Sequence, residues 1–83
     1  MTTEPTNADR AAWAAEALAV FTARTFGGDD PDSMDKGDLE CAVYDLIADL
    51  LHYANRQGFD TDSVLASAVL HFEAEQREEA QGA

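Results

Sequence analysis

Between residues 38 and 57 apolar side chains recur at Leu39, Val43, Leu46, Ile47, Leu50 and Ala54, flanked by Tyr44 and Leu51. Steps of three and four residues put them on one side of an α-helix, and together they cover more than half of its circumference. The spacing predicts a helix over 38–57, central to the fold and touched by two neighbours. Asp45, Asp49, His52 and Arg56 follow the same stride on its remaining side.

A first helix is predicted over 7–25. Its stretch is rich in alanine, the best helix former, and Trp13, Ala14, Ala17, Leu18 and Phe21 share a face. Thr6 or Asn7 suits its N-cap, and Phe26-Gly27-Gly28 ends it, because glycine accepts the left-handed conformation that closes a helix. A third helix is predicted over 60–80. Asp60 is placed to cap it, Phe59 precedes the cap as a staple for Val64, and Asp62 sets negative charge against the positive end of the helix. Val64, Leu65, Ala68, Val69 and Phe72 form its apolar face, and from Glu73 onward the residues are those of an exposed helix. The pattern specifies an all-α fold, a small three-helix bundle. Residues 1–6 are expected as a flexible leader, 7–80 as one helical domain and 81–83 as a frayed tail.

The stretch from Asp29 to Asp38 breaks the pattern. Asp29, Asp30, Pro31, Asp32, Ser33, Asp35 and Gly37 are turn and cap formers, so a loop is expected there. An oxygen-rich loop invites comparison with an EF-hand calcium site. Counting from Asp30, however, the sixth position is Asp35 where glycine is needed, and the twelfth is Cys41 where glutamate is needed. A solvated turn fits better.

Composition adds a constraint on the core. The chain has 83 residues and is 46% apolar, which supports one small folded domain, but much of that fraction is alanine. Large apolar side chains are few, and self-association is expected to complete the core. A single cysteine, Cys41, excludes an intrachain disulfide and a multi-cysteine zinc site. No basic-then-apolar leader opens the chain and no apolar run nears the roughly 18 residues of a membrane span, so a cytoplasmic location is expected.

Charge narrows the partners. Seventeen acidic residues face five basic ones, for a formal charge of −12. Eight of those net charges fall in residues 29–62. Phosphate neutralisation needs clustered Lys and Arg, so direct binding of nucleic acid is disfavoured, as is an anionic membrane surface. An acidic, lysine-poor, alanine-rich chain fits a salt-adapted cytoplasm, a GC-rich genome or a phage-type inhibitor that mimics DNA.

Chemistry has one candidate constellation. Asp45, Asp49 and His52 on one helical face could hold a divalent ion if His71 and Glu75 of the third helix added ligands. The competing reading is an ordinary solvated stripe, with Arg56 one turn beyond His52 relieving its charge. Neither histidine has a nucleophilic partner, and Gly27-Gly28 lacks the spacing and lysine of a phosphate loop. Trp13, Tyr44, Tyr53 and Phe72 read as core or dimer-interface residues. No catalytic set and no cofactor are expected.

The run Asp45-Leu-Ile-Ala-Asp49-Leu-Leu-His52-Tyr-Ala-Asn-Arg-Gln-Gly58-Phe-Asp60, continued by Leu65, Ala68 and His71-Phe-Glu-Ala-Glu75, resembles a group of short all-helical bacterial and phage proteins with a DLxxDLxHxAxxxGxD…HYEAE pattern. The likeness covers less than half of the chain and implies an intact helical domain without an assigned activity. Asp45-Leu-Ile-Ala-Asp49 also resembles, more distantly, the second metal motif of the MazG-type all-helical nucleotide pyrophosphohydrolases, which bind magnesium through Glu-x-x-Glu and Glu-x-x-Asp. Here Leu46 occupies the glutamate position, and the first helix offers Glu16 with no acid three residues away. The activity is therefore not carried over. Three functions remain: a non-enzymatic helical protein whose partner is a protein, foremost itself as a homodimer; a DNA-mimicking inhibitor of a nucleic-acid-binding enzyme; and a metal-dependent nucleotide hydrolase.

Overall fold

The computed structural model describes residues 4–81. They form α1 (Asn7–Thr25), α2 (Lys36–Arg56) and α3 (Thr61–Ala80), with a 3-10 turn at Pro31–Ser33 between α1 and α2. No strand occurs among the described residues. The all-α three-helix bundle expected from the hydrophobic pattern is the fold. Residues 1–3 of the expected leader and 82–83 of the expected tail lie outside the described residues.

Each helix starts on its own side-chain cap, which satisfies backbone N–H groups that have no partner inside the helix. At α1 the Thr6 hydroxyl accepts from the Asp9 N–H at 3.1 Å, and the Asp9 carboxylate accepts from the Thr6 N–H at 3.0 Å. Thr6 is thus the cap of the two candidates, and Asn7 instead donates its side-chain amide to the Glu75 carbonyl at 3.1 Å. The Asp60 carboxylate accepts from the Asp62 N–H at 3.1 Å and caps α3 as expected.

The start of α2 corrects the sequence reading. Asp35 is its N-cap, accepting from the Asp38 N–H at 2.8 Å, so Lys36 and Gly37 belong to the first turn and the helix begins two residues before the predicted Asp38. Within the shortened loop, the Asp30 carboxylate accepts from the Asp32 N–H at 3.0 Å and fixes the 3-10 turn. Both carboxylates have structural employment in the backbone.

Glycine ends the two helices that must turn. Gly27 at φ 63° follows α1. After α2, Gly58 at φ 82° allows Phe59 N–H to reach back to the Ala54 carbonyl at 3.0 Å, and the Gly58 N–H to bond the Asn55 carbonyl at 3.0 Å. This paired closure is the Schellman arrangement. It turns the chain into α3, which packs on α2, and the short connection makes the pair an α-helical hairpin.

Helix α2 packs on both of the others, and α1 also meets α3, where Arg10 Nε lies 3.1 Å from Glu75 Oε2. Among the described residues the buried side chains are Leu18, Thr22, Ala42 and Ala54. The interior is therefore made mostly of small residues, which let helices approach closely but remove little apolar area from water. The dimensions say the same. A chain of this mass is expected to expose about 4,900 Å² and one of this length to have a radius of gyration near 12 Å. The values here are 6691 Å² and 14.8 Å.

Candidate interaction surface

The residues singled out for metal chemistry are not gathered. Asp45 is half-buried on α2, while Asp49 and His52 on the same helix and His71 on α3 are exposed. Glu75 is half-buried and engaged by Arg10. Among the described residues, no group of three or more His, Cys, Asp or Glu side chains comes together in a way that could hold a metal ion. The Arg10–Glu75 contact is also the one ion pair among them, so Arg56 does not bridge to the acids of its stripe.

One polar pair on α2 escaped the sequence reading. Cys41 Sγ lies 2.9 Å from Tyr44 Oη, across one helical turn. This hydrogen bond, then the charge the sulfur can carry, and more weakly the Asp45 and Glu40 carboxylates, push the Tyr44 hydroxyl above the usual tyrosine range. Their three-residue separation was the available signal. The Arg10–Glu75 pair had none, because its partners are far apart in sequence.

Far more extensive is what the fold leaves uncovered. Thirteen large hydrophobic side chains are exposed, while Leu18 alone of that class is buried. Eight of them follow the stripes predicted for α2 and α3: Val43, Tyr44, Ile47 and Leu50 on α2, and Val64, Leu65, Val69 and Phe72 on α3. No residue of α3 is buried. Trp13 and Tyr53 are exposed as well. The expectation that Trp13, Tyr44, Tyr53 and Phe72 are core residues therefore fails within the single chain, and only its interface half remains. Periodicity reports that a face leaves water; it does not report whose atoms replace the water.

No family model, curated protein or solved structure matches the chain. Its function has to be read from the surface itself.

Isolated exposed hydrophobics are ordinary, but contiguous apolar stripes on two adjacent helices are not, and on soluble proteins they mark contact surfaces. No helix among the described residues is long and apolar enough to cross a membrane. Most of the acids lie elsewhere, Glu40 beside Val43 and Tyr44 being the exception. Of the ten acidic residues in 29–62, nine are exposed and Asp45 is half-buried, spread over the α1–α2 connection, the outer side of α2 and the start of α3.

Proposed function

We propose that this chain is a small acidic, non-enzymatic protein that works through protein–protein contact, and that its first partner is a second copy of itself. The observation that carries the reading is the exposure of thirteen large hydrophobic side chains against one buried. A domain has to remove enough apolar surface from water to offset the conformational entropy lost on ordering its backbone, and Leu18, Ala42 and Ala54, even with Phe21, Leu39, Leu46 and Leu51 half-buried around them, fall short. Oligomerisation is one of the remedies open to small chains, and a single cysteine leaves no intrachain disulfide to serve instead. Sedimentation equilibrium tests the proposal directly: the expected mass is twice the 9.0 kDa of the chain. A folded monomer persisting at high concentration removes it.

The exposed acids of residues 29–62 favour a second reading, in which the assembled protein presents carboxylates to the basic groove of a nucleic-acid enzyme. Binding of that kind weakens steeply as salt rises. Failure to retain any such enzyme at low salt ends this reading without touching the first.

A further inference from the structure

We infer that the α2–α3 hairpin is the self-association element: the apolar stripes of the two helices pair with the same stripes of a second copy about a two-fold axis, and the chain completes its core only in that pairing. The inference rests on the self-association proposed above and adds the surface, its symmetry and the coupling to folding.

The first support is the placement of charge. A chain with seventeen acids has none from Ser63 to Phe72, the stretch that holds the α3 stripe. On α2, Asp45 and Asp49 lie on the side of His52 and Arg56, away from Val43, Ile47 and Leu50. A basic partner requires several carboxylates where it makes contact, and this face offers Glu40 alone, one turn before Val43 and Tyr44 at the start of the α2 stripe. Two copies carrying −12 each meet closely most readily through the face poorest in acids, because like charges brought together and desolvated are costly.

Area and length point the same way. The chain exposes about 1,800 Å² more than a compact chain of its mass. Obligate homodimers bury roughly 1,000–2,500 Å² per chain, so the surplus is the size such a contact consumes. Helices α2 and α3 have 21 and 20 residues, about 30 Å each, and the α3 stripe from Val64 to Phe72 is matched in reach by Val43 to Leu50 on α2. A two-fold contact is the arrangement in which one patch serves both partners. Coupling to folding follows from the shortage of internal core. A chain that buries Leu18, Ala42 and Ala54 as its apolar interior needs its partner whenever it is folded, and the partner always present in step with it is another copy.

Two neighbouring positions on α3 separate this proposal from a general intolerance of added charge. Val69 is 46% exposed and lies on the stripe; Leu70 is 65% exposed and lies nearly opposite it. Val69→Asp and Leu70→Asp each add one carboxylate to the same turn of helix. Measured by sedimentation equilibrium, Val69→Asp is expected to raise the dimer dissociation constant at least about 100-fold, and Leu70→Asp less than about threefold. Val69→Ala keeps a strong helix former, and is expected to raise it about tenfold with the helical circular-dichroism signal retained at high concentration. A dimer weakened equally by both aspartates, or by Leu70→Asp more, overturns the hairpin assignment while leaving self-association standing. A wild-type chain that is monomeric and folded overturns both. One that is monomeric and unfolded gives the face to a different protein and refutes the second copy as occupant.

Discussion

Dilution is the perturbation to which this chain should respond most clearly. If folding and pairing are one event, unfolding releases two chains from one folded unit, and each tenfold dilution lowers the effective stability by about 1.4 kcal/mol. The denaturant slope scales with the surface exposed. For two chains of 83 residues that bury their apolar stripes together, a urea slope of about 2 kcal/mol/M is appropriate. The midpoint should then fall by about 0.7 M per decade, and by roughly 1.4 M between about 100 μM and 1 μM chain. Far-UV circular dichroism followed through urea titrations at both concentrations reads the shift, because all three helices contribute to the signal. A chain held together by Leu18, Thr22, Ala42 and Ala54 alone unfolds unimolecularly, and its midpoint is the same at every concentration. Superimposable curves at the two concentrations refute the coupling of folding to pairing.

Three further outcomes follow from particular side chains. Asp60→Ala removes the carboxylate that accepts from the first-turn N–H groups of α3, and should cost about 1 kcal/mol, while Asp60→Asn keeps most of it; equal midpoints for Asp60→Ala and wild type contradict the capping role. Potassium chloride raised from low to molar concentration should increase the urea midpoint, because screening relieves repulsion among exposed carboxylates; an indifferent midpoint means those charges do not oppose assembly. Tyr44 is an acid whose folded value is raised, so what its bond to Cys41 contributes is complete below the ordinary tyrosine range and is lost as pH climbs through the Tyr44 midpoint. In a Tyr53→Phe background, Cys41→Ala should lower the pH at which phenolate absorbance appears; an unmoved titration removes the sulfur as the cause.

The parts of the fold that were legible in sequence are those decided within a few residues. Phe59 between Gly58 and Asp60 announced both the closure of α2 and the cap of α3, because only backbone chemistry across four or five positions was involved. Asp35 was missed for a related reason. The stretch from 29 to 38 holds five aspartates, each able to cap a helix, and choosing among them requires knowing which one the chain turns on. Glu75 illustrates a different limit. It was read as a candidate ligand one turn from His71, but Arg10 and Asn7 reach it from the opposite end of the chain. The apolar stripes were placed correctly, but their spacing left open whether each faces the same chain or a second one. A hydrophobic pattern gives the direction of burial and carries no information about covalent connection.

If the chain pairs as proposed, its three helix caps bear on how fast it assembles. Thr6, Asp35 and Asp60 each bond a backbone N–H two or three residues away, so the start of every helix is encoded where it stands and needs no distant contact to form. Such signals act on sub-microsecond to microsecond times in the separate chain, well before two chains meet. In the proposed dimer the slow event is then the bimolecular encounter, and two bodies of charge −12 repel on approach instead of steering one another together. Ionic strength should therefore speed association far more than it slows dissociation, making this a protein whose rate of folding is set by its surroundings.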